Sequence, residues 1–277
     1  MAPRADTLLA ERGLFESRAK AREAIEAGLV RADGRLVKKP SEDIAPEAEL
    51  IAAAPYPWVS RGGVKLAHAL ETFGVDPSGR YCLDVGASTG GFTDVLLTRG
   101  ARHVVAVDVG HGQLHPRIRN DARVTALERL DARALERAHL AEPPSLIVCD
   151  ASFISLALIL PNVLALAARP PIAPLETSAA RLPIAPLETS AARLSIAPLE
   201  TSAAPDAILI ALIKPQFEAG RAAVKKGVVR DVLVHKEVCA RVAQQVEGLG
   251  WRLKGLCPSP IEGGDGNREF LLCGQKS

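Results

Sequence analysis

One lysine, Lys214, directly follows seven apolar residues at 207–213 and precedes Pro215-Gln216-Phe217-Glu218. Burial behind such a run and a second lysine nearby both favour the uncharged amine. An uncharged lysine is a general base at neutral pH. Three more charged residues stand in related places: Asp150 after the apolar run LIVC, Glu269 before FLLC, and Lys65 within SRGGVKLAHAL, ahead of the first core strand. Open α/β sheets meet ligands at the carboxyl ends of their strands. Two lysines and two carboxylates gathered there can hold a weakly acidic hydroxyl and take its proton. Singly, each reads equally well as a solvated strand-end charge; the joint pattern points to a site.

The stretch LDVGASTGGF at 83–92 leaves an apolar strand, turns on glycines and opens a helix. Its spacing, Gly86 to Gly90-Gly91, is neither the GxGxxG of dinucleotide folds nor a P-loop. Glycines there let backbone amides approach a ligand closely. Asp108 ends the next strand, 22 positions after Gly86. A carboxylate in that place accepts hydrogen bonds from both ribose hydroxyls of an adenosine ligand. The alternative is a tight strand-to-helix turn that binds nothing. Asp131, past the third expected strand, reads either as a contact to an adenine amino group or as a solvated helix-start aspartate. Asp121 reads as surface. His111 and His115 read as surface or loop packing, because Gly110, Gly112 and Pro116 oppose the helix that would align two imidazoles. Asp150 is followed by Ala151-Ser152-Phe153, not by the Pro-Pro-aromatic element typical of amino-group methylation. Cys149 points away from a site that Asp150 faces, which disfavours cysteine-nucleophile chemistry on pyrimidine C5.

The elements that must carry these residues alternate. Strands are predicted over 81–85, 104–107, 146–149, 207–213 and 270–273, and helices over about 92–99, 154–168 and 236–249. Such alternation predicts a doubly wound α/β sheet. Ahead of it, Ala21, Ala24, Ile25 and Leu29 recur at helical spacing behind the cap candidate Ser17. Asp33-Gly34 signals a hairpin between short strands at 29–32 and 36–37. Residues 55–60 (PYPWVS) read as a linker. Residues 169–204 are three near-identical 12-mers, RPPIAPLETSAA, RLPIAPLETSAA and RLSIAPLETSAA. Proline-rich and unable to bury a core, they read as a duplicated insertion, mobile and off-site, with a partner-binding arm as the alternative.

Composition excludes several classes. The chain has 277 residues, 48% hydrophobic and 24% charged, so one or two globular domains fit and wholesale disorder does not. Its five cysteines contain no CxxC pair, which predicts neither a disulfide framework nor a zinc site, and a reducing compartment. The longest apolar candidate, 153–168, is interrupted by Ser155, Pro161 and Asn162, so no transmembrane helix is predicted. Charges inside the first apolar run argue against a signal peptide. The net charge of +2 does not argue against a polyanion partner, because residues 213–236 alone carry six Lys/Arg against two Asp/Glu.

These blocks carry a resemblance. RADTLLAERGLFESRAKAREAIEAGLVRADGRLV resembles an S4-type RNA-binding domain. WVSRGGVKLAHAL, LDVGASTGGFTDVLL, AVDVGHGQL, CDASFISL, LIKPQFEAGR, GVVRD and PSPIEGGDGNREF closely resemble the TlyA (hemolysin A) family of ribosomal RNA 2′-O-methyltransferases. The likeness runs from about residue 3 to 273, apart from the repeats.

The resemblance implies a Rossmann-like, S-adenosylmethionine-dependent methyltransferase sheet of FtsJ type with a small N-terminal α+β S4-like domain. The domains then run over 3–54 (S4-like), 55–60 (linker) and 61–277 (methyltransferase). The family's Lys-Asp-Lys-Glu set falls on Lys65, Asp150, Lys214 and Glu269. Its cofactor loop falls on Gly86, Ser88, Gly90 and Phe92, and its ribose carboxylate on Asp108. Asp131 stands where relatives often carry Asn. Phosphate contacts fall to Arg4, Arg18, Lys20, Arg22, Arg31 and Lys38, which otherwise read as a solvated helix face alternating with acids. The implied substrate is a cytidine in small- or large-subunit ribosomal RNA, or both. The implied partners are ribosomal RNA and ribosomal subunits, with no metal and no membrane, in the cytoplasm. Two other readings remain at this point. A non-catalytic ribosome-assembly factor would have lost a charged site residue, and a membrane-active hemolysin would need a spanning or basic amphipathic segment.

Overall fold

The computed structural model describes residues 2–167, 207–263 and 266–276. The three repeats therefore lie outside the described residues. The chain divides into two compact units, Met1–Trp58 and Val59–Ser277.

In the first unit, helices α1 (Ala5–Glu11) and α2 (Arg18–Glu26) accompany strands β1 (Val30–Ala32), β2 (Arg35–Leu36) and β3 (Leu50–Ala52). The strands form an antiparallel sheet in the order β2-β1-β3. The Ser17 hydroxyl accepts the Lys20 amide at 3.3 Å and so caps α2. Asp33 and Gly34 both take positive φ, 48° and 75°, in the two-residue turn that an Asp-Gly pair favours. Leu8, Leu9, Ala21, Ala24, Ile25 and Val30 close the core. Strand β3 is an addition to the sequence reading, because three residues between Glu49 and Ala53-Ala54-Pro55 give too short a pattern.

The second unit holds a seven-stranded sheet. Its strands are β4 (Tyr81–Val85), β5 (His103–Asp108), β6 (Val124–Glu128), β7 (Leu146–Cys149), β8 (Ile208–Ile213), β9 (Trp251–Pro258) and β10 (Phe270–Lys276), ordered β6-β5-β4-β7-β8-β10-β9. The five strands from β4 to β8 are parallel. β4, β7 and β8 are buried along their whole length, which is why they read as unbroken apolar runs. The chain order reverses between β4 and β7, and such switch points open the crevice in which ligands sit. β10 enters antiparallel between β8 and β9, with Phe270 opposite Ile213. That register brings Glu269 to the carboxyl end of β8, beside Lys214.

Helices α3 (Gly62–Phe73), α4 (Gly91–Thr98), α5 (Pro116–Arg119), α6 (Leu156–Leu166), α7 (Pro215–Glu218) and α8 (Val232–Gly248) complete the unit. α8 starts four residues before the expected Lys236, because the Asp231 carboxylate caps it by accepting the Leu233 amide at 2.8 Å. α3 corrects the placement of Lys65, which sits on a helix rather than at a strand end. No helix among the described residues is long and apolar enough to cross a membrane.

Candidate active site

The glycine turn after β4 is built by close approach. Gly86 has φ +81°, and an added Cβ would lie 3.0 Å from the Asp150 and Ala151 backbone. Only glycine satisfies both conditions. The two oxygens of Asp108 accept the backbone amides of Ser88 and Gly110, each at 2.7 Å. One carboxylate thus pins the glycine turn to the end of β5. Gly90 has a different task. At φ +96° it sits against Leu114 and Ile118, where an added Cβ would meet Leu114 at 2.9 Å, and it opens α4.

Two cavities adjoin this turn. One, of about 530 Å³, is lined by Gly86, Ser88, Asp108, Asp131, Phe153 and Ile154 among others. The second, of about 230 Å³, is lined by Ser60, Lys65, Phe92 and Lys214. Gly86, Ser88, Asp150 and Ser152 line both, so they form the shared wall. Of the expected cofactor residues, Gly86, Ser88, Asp108 and Asp131 face the larger cavity. Phe92 faces the smaller one, and Gly90 lines neither.

Lys65, Asp150, Lys214 and Glu269 come together from four separate elements as two ion pairs. Lys65 Nζ lies 2.5 Å from a Glu269 oxygen, and both residues are buried. Lys214 Nζ lies 2.6 Å from Asp150 Oδ1, and it donates to the Asp150 carbonyl at 3.2 Å and the Ser152 hydroxyl at 2.6 Å. Each lysine is thereby held at a fixed point of the smaller cavity. A polar cavity with two anchored amines abuts a larger, more apolar one that ends in a carboxylate on a glycine turn. That arrangement suits transfer of a small group from a nucleoside-like donor to a hydroxyl.

The FtsJ-like methyltransferase family matches residues 58–276, and the S4 domain family matches residues 3–50. The 16S/23S rRNA (cytidine-2′-O)-methyltransferase TlyA of Mycobacterium tuberculosis is 41% identical over 272 residues, covering 97% of this chain and 88% of its own. The chain belongs to the TlyA family of FtsJ-like methyltransferases. Hemolysin A of Brachyspira hyodysenteriae is 34% identical over 97% of this chain and 98% of its own. A solved structure of a Streptococcus thermophilus protein described as a hemolysin superposes with a TM-score of 0.69 at 36% identity, covering 100% of this chain and 89% of its own.

Two residues at the family site escaped the sequence reading. Ser152 bridges the cavities and bonds Lys214. Phe153 lies 90% exposed at φ +65°, its ring 5.1 Å from that of Phe217. A bulky residue rarely adopts that φ. Both lie in an irregular loop where periodicity gives no signal; the CDASF string itself was the only available hint.

The remaining candidates are placed as follows. Asp131 lines the larger cavity and also caps a short 3-10 turn, accepting the Arg133 amide at 2.8 Å. The Arg133 side chain holds its carboxyl down at about 2. The helix-start reading of Asp131 holds, and the residue also lines the cavity. Asp121 is chelated by Arg123. His111 contacts Glu128 at 2.9 Å. No helix runs through His111–His115, as the sequence argued; the short α5 begins only after them, capped by His115 and opened by Pro116. Cys149 is fully buried, and burial pushes its thiol up to about 12. Among the described residues no group of three or more His, Cys, Asp or Glu is arranged to hold a metal.

In the S4-like unit, a buried acid organises the basic face. Asp6 receives Arg4 at 3.1 Å, Arg18 at 3.2 Å and Arg22 at 3.7 Å. Arg4 first, then Arg18, holds its carboxyl well below the usual range against the opposing effect of burial. Lys20 bonds the Tyr56 hydroxyl at 3.0 Å and lies 3.9 Å from Glu23. Arg31 donates to the Gly34 carbonyl at 3.0 Å, and Lys38 is exposed. Asp6 was missed because an acid in the first turn of a helix reads as a surface residue.

Proposed function

We propose that this protein transfers the methyl group of S-adenosylmethionine to the 2′-hydroxyl of a cytidine in ribosomal RNA of the small subunit, the large subunit or both. The observation that carries the reading is that Lys65, paired with Glu269, and Lys214, paired with Asp150, both line a cavity that shares a wall with the glycine-turn cavity. The larger cavity fits the cofactor. Its volume lies in the range of small-molecule sites, Gly86 leaves the backbone open to close approach, and each Asp108 oxygen keeps a lone pair for a ribose hydroxyl. When bound, S-adenosylmethionine supplies an electrophilic methyl on a sulfonium.

The chain's own residues do the rest. Gly86, Ser88, Asp108 and Asp131 bind and orient the donor. Lys65, held by Glu269, orients the ribose of the acceptor. The Lys214–Asp150 pair takes up the hydroxyl proton, with Ser152 fixing the position of the amine. Most of the acceleration comes from positioning, with the proton transfer contributing about 10²–10⁴-fold. Phe153 offers an exposed ring on the cavity rim for a base to stack on. Arg4, Arg18, Lys20, Arg22, Arg31 and Lys38 grip phosphates sequence-independently. A ribosomal RNA substrate sets the place of action in the cytoplasm.

The experiment is transfer of labelled methyl to purified small subunits, large subunits and naked ribosomal RNA by wild type and Lys214→Ala. The variant is expected to lose at least about 100-fold in rate while binding S-adenosylmethionine as wild type does. Near-normal turnover by the variant overturns the assignment of Lys214.

A further inference from the structure

The methyltransferase unit carries one cationic feature that the reaction above does not use. Residues 225–228 form a tight turn in which Lys225 and Val228 exchange both backbone hydrogen bonds, at 3.0 and 3.1 Å. Its two central residues, Lys226 and Gly227, have φ of +51° and +80°. Turns with both central residues in the left-handed region favour Asn, Asp or Gly at the first of them. A lysine there adopts a strained backbone and places its amine in solvent. Lys225 and Arg230 are exposed as well. No ion pair engages Lys225, Lys226 or Arg230 among the described residues. The adjacent acid, Asp231, is occupied as the cap of α8. Glu262, five residues before Asn267 in the chain, is an exposed carboxylate.

Surface lysines on a loose loop would mean little, but this turn is pinned from both flanks. The Asn267 side chain is buried, donates to the Gly227 carbonyl at 2.9 Å and accepts the Val229 amide at 3.2 Å. The Asn267 carbonyl accepts the Gly263 amide at 2.8 Å. From α8, the buried His235 ring bonds the Val229 carbonyl at 3.0 Å and packs on Phe270 at 5.5 Å between centroids. Asn267 stands two residues before Glu269 and Phe270 one residue after it. The anchors of the turn therefore flank the carboxylate that holds Lys65.

We propose that the turn at 225–228, together with Arg230, is a phosphate clamp that seats the RNA backbone flanking the target nucleotide against the lysine cavity, with Asn267 as its positioning residue. Three cations in six residues, with no ion pair among the described residues and carried on a turn anchored by Asn267 and His235, match a polyanion backbone better than a folded protein surface of mixed charge. The clamp rests on the RNA 2′-O-methyl transfer reading.

The test is a pair of variants of the full chain. K225Q/K226N removes two charges while placing asparagine where such a turn favours it, so the turn is kept. It is expected to raise the KM for the ribosomal substrate about tenfold with kcat and S-adenosylmethionine affinity unchanged. It should also make log Kd against log salt shallower by about 1.4–1.8, the slope of two phosphate contacts. Asn267→Ala keeps every charge and should raise KM in the same direction without changing that slope as much. Its thermal unfolding and cofactor affinity, measured alongside, separate loss of position from loss of fold. A K225Q/K226N protein with wild-type KM and salt slope overturns the clamp. Wild-type protein that methylates no ribosomal RNA overturns the reading of the reaction instead, so the two failures are distinct.

Discussion

Lys65 and Glu269 are 204 residues apart in the chain and 2.5 Å apart in space. One sits on the helix that precedes the sheet and the other at the start of its last strand. Both are buried, so neither tolerates losing its partner alone. Glu269→Gln is expected to lower stability by about 3–5 kcal/mol, because an unpaired ammonium remains in a buried place. The double change Lys65→Met with Glu269→Leu should recover most of that stability, since apolar replacement of a buried pair is often neutral, yet it should not recover methyl transfer. Thermal unfolding and labelled-methyl transfer on the three proteins check both halves. Recovery of turnover in the double variant would falsify a role for the pair in the reaction.

Asp108 does two things at once, and a variant series can separate them. Asp108→Asn keeps one acceptor oxygen for the two backbone amides at Ser88 and Gly110 but loses the charge. Asp108→Ala removes both. Hydrogen bonds to a charged group contribute about 1.5–3 kcal/mol each. The expected loss of S-adenosylmethionine affinity is therefore about 10-fold or more for either variant, with hydrogen exchange of the 86–91 turn accelerated chiefly in Asp108→Ala. Calorimetric titration and exchange measurements read the two effects independently. Equal exchange in both variants would remove the carboxylate from the turn's support.

How much of this was legible in the sequence follows from what each element buries. β4, β7 and β8 are covered on both faces, so their apolar runs announced them. β9, at the sheet edge, alternates in burial and carries Arg252, Lys254 and a glycine, so it passed unnoticed. α3 opens on Gly62-Gly63, poor helix formers, which hid the helix that holds Lys65. Lys214 was conspicuous because the run before it is unbroken. That Glu269 would stand beside it required an antiparallel strand inserted between β8 and β9, and no local pattern encodes that pairing. The dual use of Asp131 was equally beyond the sequence, because a cap and a cavity wall differ only in what lies across the gap.

Asp84 gives a pH-dependent prediction. It lies in the middle of β4, fully buried, its Oδ2 accepting the Thr93 hydroxyl at 2.6 Å and its Oδ1 without a hydrogen-bond partner among the described residues. Burial pushes its carboxyl up to about 7, against the Thr93 bond that favours the charged form. An unfolded aspartate titrates near about 3.9. Between those values the folded chain keeps a proton that the unfolded chain releases. Stability contributed by this group is therefore full below about pH 4 and falls as pH rises towards 7. The upper bound on that loss is about 4 kcal/mol. Asp84→Asn should flatten this part of the profile. Denaturant unfolding at pH 5 and pH 8 measures it, and a variant whose stability keeps the wild-type slope would show that the group titrates normally.

Asp6 separates charge from arrangement in the S4-like unit. Replacing it with Asn makes the chain more positive by one, and bare electrostatics then predicts tighter binding to RNA. The structure predicts the opposite. Asp6 gathers Arg4, Arg18 and Arg22 on one face, and neutral Asn offers a single acceptor oxygen to three guanidiniums. Without the carboxylate, the arginines repel one another and spread, and ordering them again on RNA costs side-chain entropy. Asp6→Asn is expected to bind a ribosomal RNA fragment several-fold more weakly at 0.1–0.2 M salt. Asp6→Glu, which keeps the charge on a longer arm, should fall between the two. The acid side supplies a control on folding. The depressed Asp6 carboxyl contributes stability that is present above about pH 4 and lost progressively as pH falls towards its folded value, so the stability advantage of wild type over Asp6→Asn should shrink steadily between about pH 4 and pH 2. Fluorescence anisotropy at matched folded fraction reads the affinity, and tighter binding by Asp6→Asn would mean that the three arginines need charge alone and not the shared anchor.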